Sequence, residues 1–209
     1  MAGENAKQSS AGRPRSSSRD TLEDAALELF LEQGYSATTI EHITRRAGVS
    51  RNTFFNYFEA KSDLLWLEVD AGIDRLAEEL LTVSFDAPPI PALRELMLRV
   101  ADEVGTDRVP LALTQGEVMG SQGEAATSGL ARFARRADVL ADFLAPRWGT
   151  ARNDLGILAS SNALAGAISA AWEVWARDGI SRKPLADYVA EAFDLIVTGL
   201  AESLDHRFC

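Results

Sequence analysis

Cysteine is almost missing from this 209-residue chain: the single thiol is the terminal Cys209, so the chain can form neither an internal disulfide nor a thiolate metal cage. Histidine is nearly as scarce. His42 and His206 are far apart, and no Cys/His/carboxylate spacing, phosphate-cradling glycine loop or nucleophile motif surrounds either of them. An enzyme built on a helical bundle is therefore the disfavoured rival. Alternation of period two, the mark of a half-buried strand, is absent, as is any repeat of fixed length. The first twenty residues contain no apolar segment, which predicts no secretory signal and, with so little cysteine, a reducing cytoplasmic setting. No metal or cofactor is expected.

What is present is the composition of a globular protein, 46% hydrophobic and 25% charged. The net charge of −10 opposes a polyanionic partner until its distribution is considered. Residues 1–61 carry eight Lys/Arg and eight Asp/Glu, leaving thirteen basic against twenty-three acidic groups in the remainder. All of the excess acid belongs to the C-terminal part. Residues 1–18 are Ser-rich and carry Lys7, Arg13 and Arg15 against Glu4, with Arg19 following. That segment reads as a flexible basic arm, either solvated or in contact with DNA.

Asp20 can cap a first helix whose apolar positions, Leu22, Ala25, Ala26, Leu29 and Phe30, recur at helical spacing before Gly34. Thr39 can cap a second, short helix through Ile40, Ile43 and Ala47, stopped by Gly48. Ser50 can cap a third through Phe54, Phe55 and Phe58, and Lys61-Ser62 is expected to open a longer fourth. Beyond the Pro88-Pro89-Ile90-Pro91 interruption, helices are expected over 91–104, 109–120, 124–147, 152–178 and 184–203.

Residues 39–58 have the pattern of two helices around a sharp turn. Ala47 is small where the helices approach, Gly48 allows a left-handed backbone, and Val49 supplies an apolar anchor. Ser50, Arg51, Asn52 and Thr53 then occupy the start of the second helix, the part of a helix-turn-helix that meets base edges. Arg can bond guanine bidentately and Asn can do the same with adenine. Arg45 and Arg46 are either phosphate contacts or an ordinary solvated face.

The string Ala26-Leu27-Glu28-Leu29-Phe30, Gly34-Tyr35, Thr38-Thr39-Ile40, Ala47-Gly48-Val49-Ser50, Thr53-Phe54-Phe55 and Tyr57-Phe58-Glu59-Ala60-Lys61-Ser62-Asp63-Leu64-Leu65 resembles the N-terminal signature of the TetR family of repressors. The resemblance covers residues 19–66. It implies an all-α, TetR-like fold of about nine helices, with a three-helix DNA-binding head at 19–65 and a larger effector-binding and dimerisation domain at 66–209. It also implies phosphate contacts from Thr39 and Lys61, with Ser50, Arg51, Asn52, Thr53 and Asn56 facing the groove; Arg45 is kept as a further DNA-contact candidate. Phe55 stands where tyrosine is common in the family and cannot donate a phenolic bond. The phosphate role therefore passes to Tyr57, and Phe55 is assigned with Phe54 and Phe58 to packing.

In the C-terminal part, residues 155–172 are uncharged and long enough to be a formal membrane candidate. Ala, Ser, Gly and Asn dominate them, so a buried helix fits better. Ala159, Ala163, Gly166 and Ala170 fall on one face, and with Ala192, Leu195, Ile196 and Gly199 of the last helix they predict a four-helix homodimer interface. Candidate pocket residues are Trp66, Met97, Leu113, Met119, Phe133, Phe143, Trp148, Trp172 and Trp175, each also explicable as core. Arg132, Arg135 and Arg136 are read as charge balance for neighbouring carboxylates, with an anionic ligand group as the alternative. The layout of 91–200, with Trp66 and Asp70, is similar to the TetR subgroup associated with acyl-CoA-like ligands, including regulators of mycofactocin clusters.

The sequence thus predicts a homodimeric repressor that binds palindromic double-stranded operator DNA and is released by a small apolar or amphipathic effector, acyl-CoA-like in the first instance. An activator or a ligand-independent regulator on the same fold is the alternative.

Overall fold

The structure, a computed structural model, describes the backbone of residues 18–106, 109–114 and 122–208. Lys7, Arg13 and Arg15 of the basic arm and the pocket candidate Met119 lie outside the described residues, as do the surroundings of Gly199. The described residues form nine α-helices and two short 3-10 turns, with no strand. The chain divides into two compact units, Met1–Ala60 and Lys61–Cys209.

The first unit holds α1 (Ser18–Gln33), α2 (Ile40–Ala47) and α3 (Arg51–Phe55). The helical periodicity of α1 buries Leu22, Ala25, Ala26, Leu29 and Phe30, the positions that the sequence assigns to its inner face. Tyr35, Ile43, Phe54 and Phe58 complete this small core. Phe54 meets Phe58 with ring centroids 5.3 Å apart, and Phe30 meets Tyr35 at 5.1 Å. Such offset or tilted pairs are the favoured aromatic geometry. Arg46 spans from α2 to Glu28 and Glu32 of α1, so one of the two candidate solvated arginines ties helices together.

The second unit opens with a 3-10 turn, η1 (Lys61–Leu65), then α4 (Leu67–Leu80), α5 (Pro89–Asp102), α6 (Leu111–Thr114), α7 (Gln122–Arg147), α8 (Leu155–Arg177), η2 (Gly179–Ser181) and α9 (Leu185–Phe208). The long fourth helix expected from Lys61 is instead broken at Trp66, whose φ of −125° and ψ of 17° leave the helical region. The reason is tertiary: its indole N–H donates to Ser128 of α7 at 2.9 Å, a bond that local propensity does not contain. Pro89 and Pro91 fall in the first turn of α5, where the missing N–H would have no intrahelical partner anyway, so the helix begins two residues before the expected position.

The core of this unit is shared by α4, α5, α7, α8 and α9, with α8 packed between α7 and α9. Trp175, Leu140, Leu144, Ile157, Leu164 and Leu93 are fully or almost fully buried there. By length and composition α8 is apolar enough to cross a membrane, and half of its apolar window is buried inside this unit. Asp154 caps its start through the Gly156 N–H at 2.7 Å.

Candidate functional site

Two places in the chain gather chemistry. In the first unit, Thr39 caps α2 by accepting from the His42 N–H at 3.1 Å. Gly48 then takes φ +69°, ψ 28°, and the Val49 N–H returns to the Thr44 carbonyl at 3.0 Å, closing the helix end with the double hydrogen bond that a left-handed residue permits. Ser50 accepts from the Thr53 N–H at 3.0 Å and starts α3 three residues after α2 has ended. Two adjacent caps around a single left-handed glycine produce the turn.

This arrangement leaves Ser50, Arg51, Asn52, Asn56 and Tyr57 exposed and Thr53 half-buried, while Phe54 on the opposite side is fully buried. Thr39 and Arg45 are exposed as well, Arg45 pairing with Glu41 one turn away. Eight of the nine candidate DNA contacts therefore lie in this unit, and seven of them are exposed; Lys61 is half-buried and belongs to the second unit. Burial lowers the Lys61 amine from its ordinary value, against the opposing field of Glu124.

Phe55 corrects the expectation of a packing role. It is 46% exposed, because a residue one position beyond Phe54 is rotated about 100° around the helix and leaves the inward face. Its ring meets Phe54 edge-on at 5.4 Å and lies 5.6 Å from the Arg51 guanidinium carbon, a cation–π distance, so its packing is local and on the outer side.

The second place is a partly open cavity of about 860 Å³ in the second unit, within the range of small-molecule sites. Four of the predicted pocket residues, Trp66, Leu113, Phe133 and Trp172, line it. Gly129 lies so close to Trp66 that a Cβ there would sit 2.9 Å from the indole Cζ2, so the absence of a side chain makes room for the ring. Four other candidates lie elsewhere. Met97 borders a small void of about 40 Å³ that shares Val69, Arg136 and Trp172 with the cavity wall. Phe143 lies 3.8 Å beneath the Arg147 guanidinium, and Trp148 is half-buried against the core. Trp175 is fully buried, its indole donating to the Lys183 carbonyl at 2.9 Å and its ring meeting Trp172 edge-on. Helical spacing marks these residues as inward-facing but does not separate core from cavity.

The cavity also contains charge that the sequence reading left as general balance. Arg132 donates to Asp70 at 2.6 and 3.1 Å, to Asp63 at 3.0 Å and to the Ser128 carbonyl at 3.1 Å. Burial raises the Asp70 carboxyl, opposed by the hydrogen bond from Arg132. Arg135 pairs outside with Asp74. Arg136, one turn beyond Arg132, is 5% exposed, and its described hydrogen bond goes to the neutral Ser169 hydroxyl at 3.0 Å. Charge balance accounts for two of the three arginines, and the third stands apart. The signal in the sequence was the Gly129, Arg132, Phe133, Arg136 spacing on α7, which puts all four along one helix face.

The candidate dimer positions are open or half-open within the chain: Ala159, Ala170 and Leu195 are exposed, and Ala163, Gly166, Ala192 and Ile196 are half-buried. Exposed Leu155 and Leu158 extend the apolar face of α8.

Residues 22–66 match the family described as "Bacterial regulatory proteins, tetR family", and residues 87–201 match the MftR C-terminal domain. The chain is 27% identical to the putative mycofactocin biosynthesis transcriptional regulator MftR of Mycobacterium tuberculosis, over 92% of this chain and 96% of that protein. The transcriptional regulator AcrR of Shigella flexneri shares 34% identity over 43% of this chain and 42% of its own length. Among solved structures, Thermus thermophilus FadR, a TetR-family repressor in complex with lauroyl-CoA, is similar with a TM-score of 0.54 and 27% identity, covering 87% of this chain and 94% of that one. The FadR of Bacillus halodurans, at 19% identity and a TM-score of 0.57 over 90% and 98% of the two chains, shares the fold. A helix-turn-helix unit folded around Gly48, a second helical unit with a cavity, and matches that span both units place this chain in the TetR family of transcriptional regulators, with an MftR-type C-terminal domain.

Proposed function

We propose that this regulator is a cytoplasmic homodimeric repressor that holds a palindromic operator and releases it when an apolar or amphipathic effector occupies the cavity of its second unit. The DNA-binding part rests on one observation above others: the Gly48 turn and the Ser50 cap leave Arg51, Asn52 and Asn56 exposed on a helix whose other side is anchored by Phe54. Arg51 and Asn52 read bases; Thr39, Tyr57 and Lys61 contact phosphates, and Arg45 is a further candidate contact. Two heads related by the dimer axis meet successive major grooves about 34–36 Å apart.

The exposed apolar faces of α8 and α9 support the dimer, with Ala159, Ala170 and Leu195 among the residues that two copies would bury. For the effector, the lauroyl-CoA bound by the Thermus relative and the size of the present cavity favour an acyl thioester or a similarly amphipathic molecule. A ligand shifts a two-state equilibrium only by binding one state more tightly than the other. Arg132 supplies a place for that difference, since it borders the cavity and also holds Asp63 in the turn that follows the head in the chain.

The test is selection of a duplex from a random pool, followed by titration of the protein–duplex complex with acyl thioesters of increasing chain length. Binding to a palindrome with one dimer per site, and release by at least one thioester, is the expected result. A complex that survives every thioester defeats the acyl-thioester effector, survival of a broad metabolite panel as well identifies a ligand-independent regulator, and ligand-dependent binding identifies an activator-like device.

A further inference from the structure

Arg136 is the one guanidinium among the cavity-lining residues that is nearly all buried and yet makes no ion pair among the described residues. A guanidinium has five N–H donors and no acceptor. Here Nη1 donates to the Ser169 Oγ at 3.0 Å, and Ser169 in turn donates to the Ala165 carbonyl at 2.9 Å, so the hydroxyl satisfies a donor without supplying negative charge. Asp70 is the carboxylate whose field reaches Arg136, but its Oδ2 is bound to Arg132. Burial pulls the Arg136 guanidinium down to about 10, still well above neutrality, so the cation persists. An uncompensated buried charge opposes folding, and proteins keep such groups paired or neutralise them.

We infer that Arg136 and Ser169 form an anion subsite in the cavity wall, which takes the negatively charged oxygen group of a ligand whose apolar body lies against Trp66, Phe133 and Trp172. This deepens the proposed ligand-responsive function and rests on it. The apolar wall alone accepts a neutral molecule equally well; Arg132, already bound to carboxylates, Glu173 and Arg177 also line the cavity, and Arg136, buried and without an ion pair among the described residues, is the cation that favours an acid. Planar guanidinium geometry suits a bidentate carboxylate, and it accepts a phosphate oxygen as readily. The shared chemistry is an oxyanion on a molecule that carries an apolar chain. A free fatty acid supplies it as the carboxylate at the chain end, an acyl thioester of coenzyme A as a phosphate beyond its neutral pantetheine arm.

The experiment is isothermal titration of the full chain and of Arg136→Met with dodecanoate, dodecanamide and lauroyl-CoA. On the natural chain dodecanoate binds at least tenfold more tightly than the amide, or lauroyl-CoA binds where the amide does not. On Arg136→Met the charged ligand loses tenfold or more and the amide is unchanged. Loss confined to dodecanoate identifies the carboxylate source, and loss confined to lauroyl-CoA the phosphate source. Equal affinity for acid and amide on the natural chain, charged ligands indifferent to Arg136→Met, or no binding of either anion below about 1 mM overturns the subsite.

Arg136→Met also removes an unpaired buried charge, so its melting temperature is expected to stay level or rise. Should that variant not fold, Arg136→Lys carries the same comparison, weakening the anion several-fold and sparing the amide; equal change in both overturns the proposal. Release of duplex DNA is read separately. An acid held by Arg136 that leaves the duplex bound defeats derepression and keeps the subsite, whereas release by ligands insensitive to Arg136 defeats the subsite and keeps derepression.

Discussion

Arg132 of α7 donates to Asp63 of η1 at 3.0 Å while the same nitrogen holds Asp70 of α4 at 2.6 Å, so one guanidinium binds two carboxylates that lie seven residues apart and on either side of the helix break at Trp66. The cation is 10% exposed and the two carboxylates about a quarter exposed, which makes this a partly buried triad rather than a surface pair. Removing its centre leaves two acids facing each other without a cation between them.

Arg132→Met is expected to cost about 2 kcal/mol of unfolding free energy, below the ~3–5 kcal/mol typical of breaking a fully buried pair because water reaches the two acids. Urea denaturation of the two proteins checks this. The contrast with Arg136→Met, four residues along and expected to cost nothing, separates a structural arginine from a ligand-holding one.

Gly129→Ala places a methyl group against the Trp66 ring at 2.9 Å, and the ring is held by its bond to Ser128. The expected cost is about 1–2 kcal/mol, in the range of overpacked sites. The Trp66 contribution to intrinsic fluorescence should change with it. An unaltered emission spectrum and melting temperature would show that the ring moves freely.

At the head, Gly48→Ala introduces no clash, since nothing lies within 4 Å of the added carbon, and its cost of about 1 kcal/mol comes from the left-handed backbone alone. Ser50→Ala removes the cap on Thr53 at a similar cost of about 1 kcal/mol. The functional variants divide differently. Arg51→Ala and Asn52→Ala should lose about tenfold in affinity on the selected palindrome and little on random duplex, as expected for base readers. Lys61→Ala should weaken both duplexes and flatten the salt dependence. Fluorescence anisotropy at several salt concentrations reads all three.

Arg94 of α5 grips Asp194 of α9 through two bonds of 2.7 Å, and that hydrogen bonding holds the Asp194 carboxyl below its ordinary value. A carboxyl lowered in the folded state stabilises it at pH values above the unfolded pKa, and the benefit is lost as pH falls through the lowered folded value. Asp194→Asn should therefore lower the melting temperature near neutrality and merge with the natural chain at the acid end. Both groups are exposed, so salt should shrink the gap. A difference that persists undiminished in strong acid would exclude this pair as its source.

The head was legible in one dimension because its turn chemistry is local. Thr39, Gly48 and Ser50 act on backbone groups within five residues of themselves, so their roles follow from residue type and order. Phe55 was misread for a related reason: an aromatic run looks like core, but only Phe54 and Phe58, one helical turn apart, share the inward face. The break at Trp66 was invisible, since the bond that enforces it reaches sixty-two residues along the chain.

Residue order alone carries the all-helical class, the family, the turn between α2 and α3 and the apolar face of nearly every helix. Period, capping and turn residues are written locally, and each helix must bury the stripe that its sequence creates. Long-range packing selects which inward-facing aromatics meet a cavity and which fill the core, because Trp66 and Trp172 differ from Trp175 in their neighbours and not in their spacing. It also decided the fates of three arginines within five residues of one another. Arg132 found two carboxylates, Arg135 turned outward to Asp74, and Arg136 faced a serine without an ion pair. Which partner a long side chain reaches depends on what other helices bring to it.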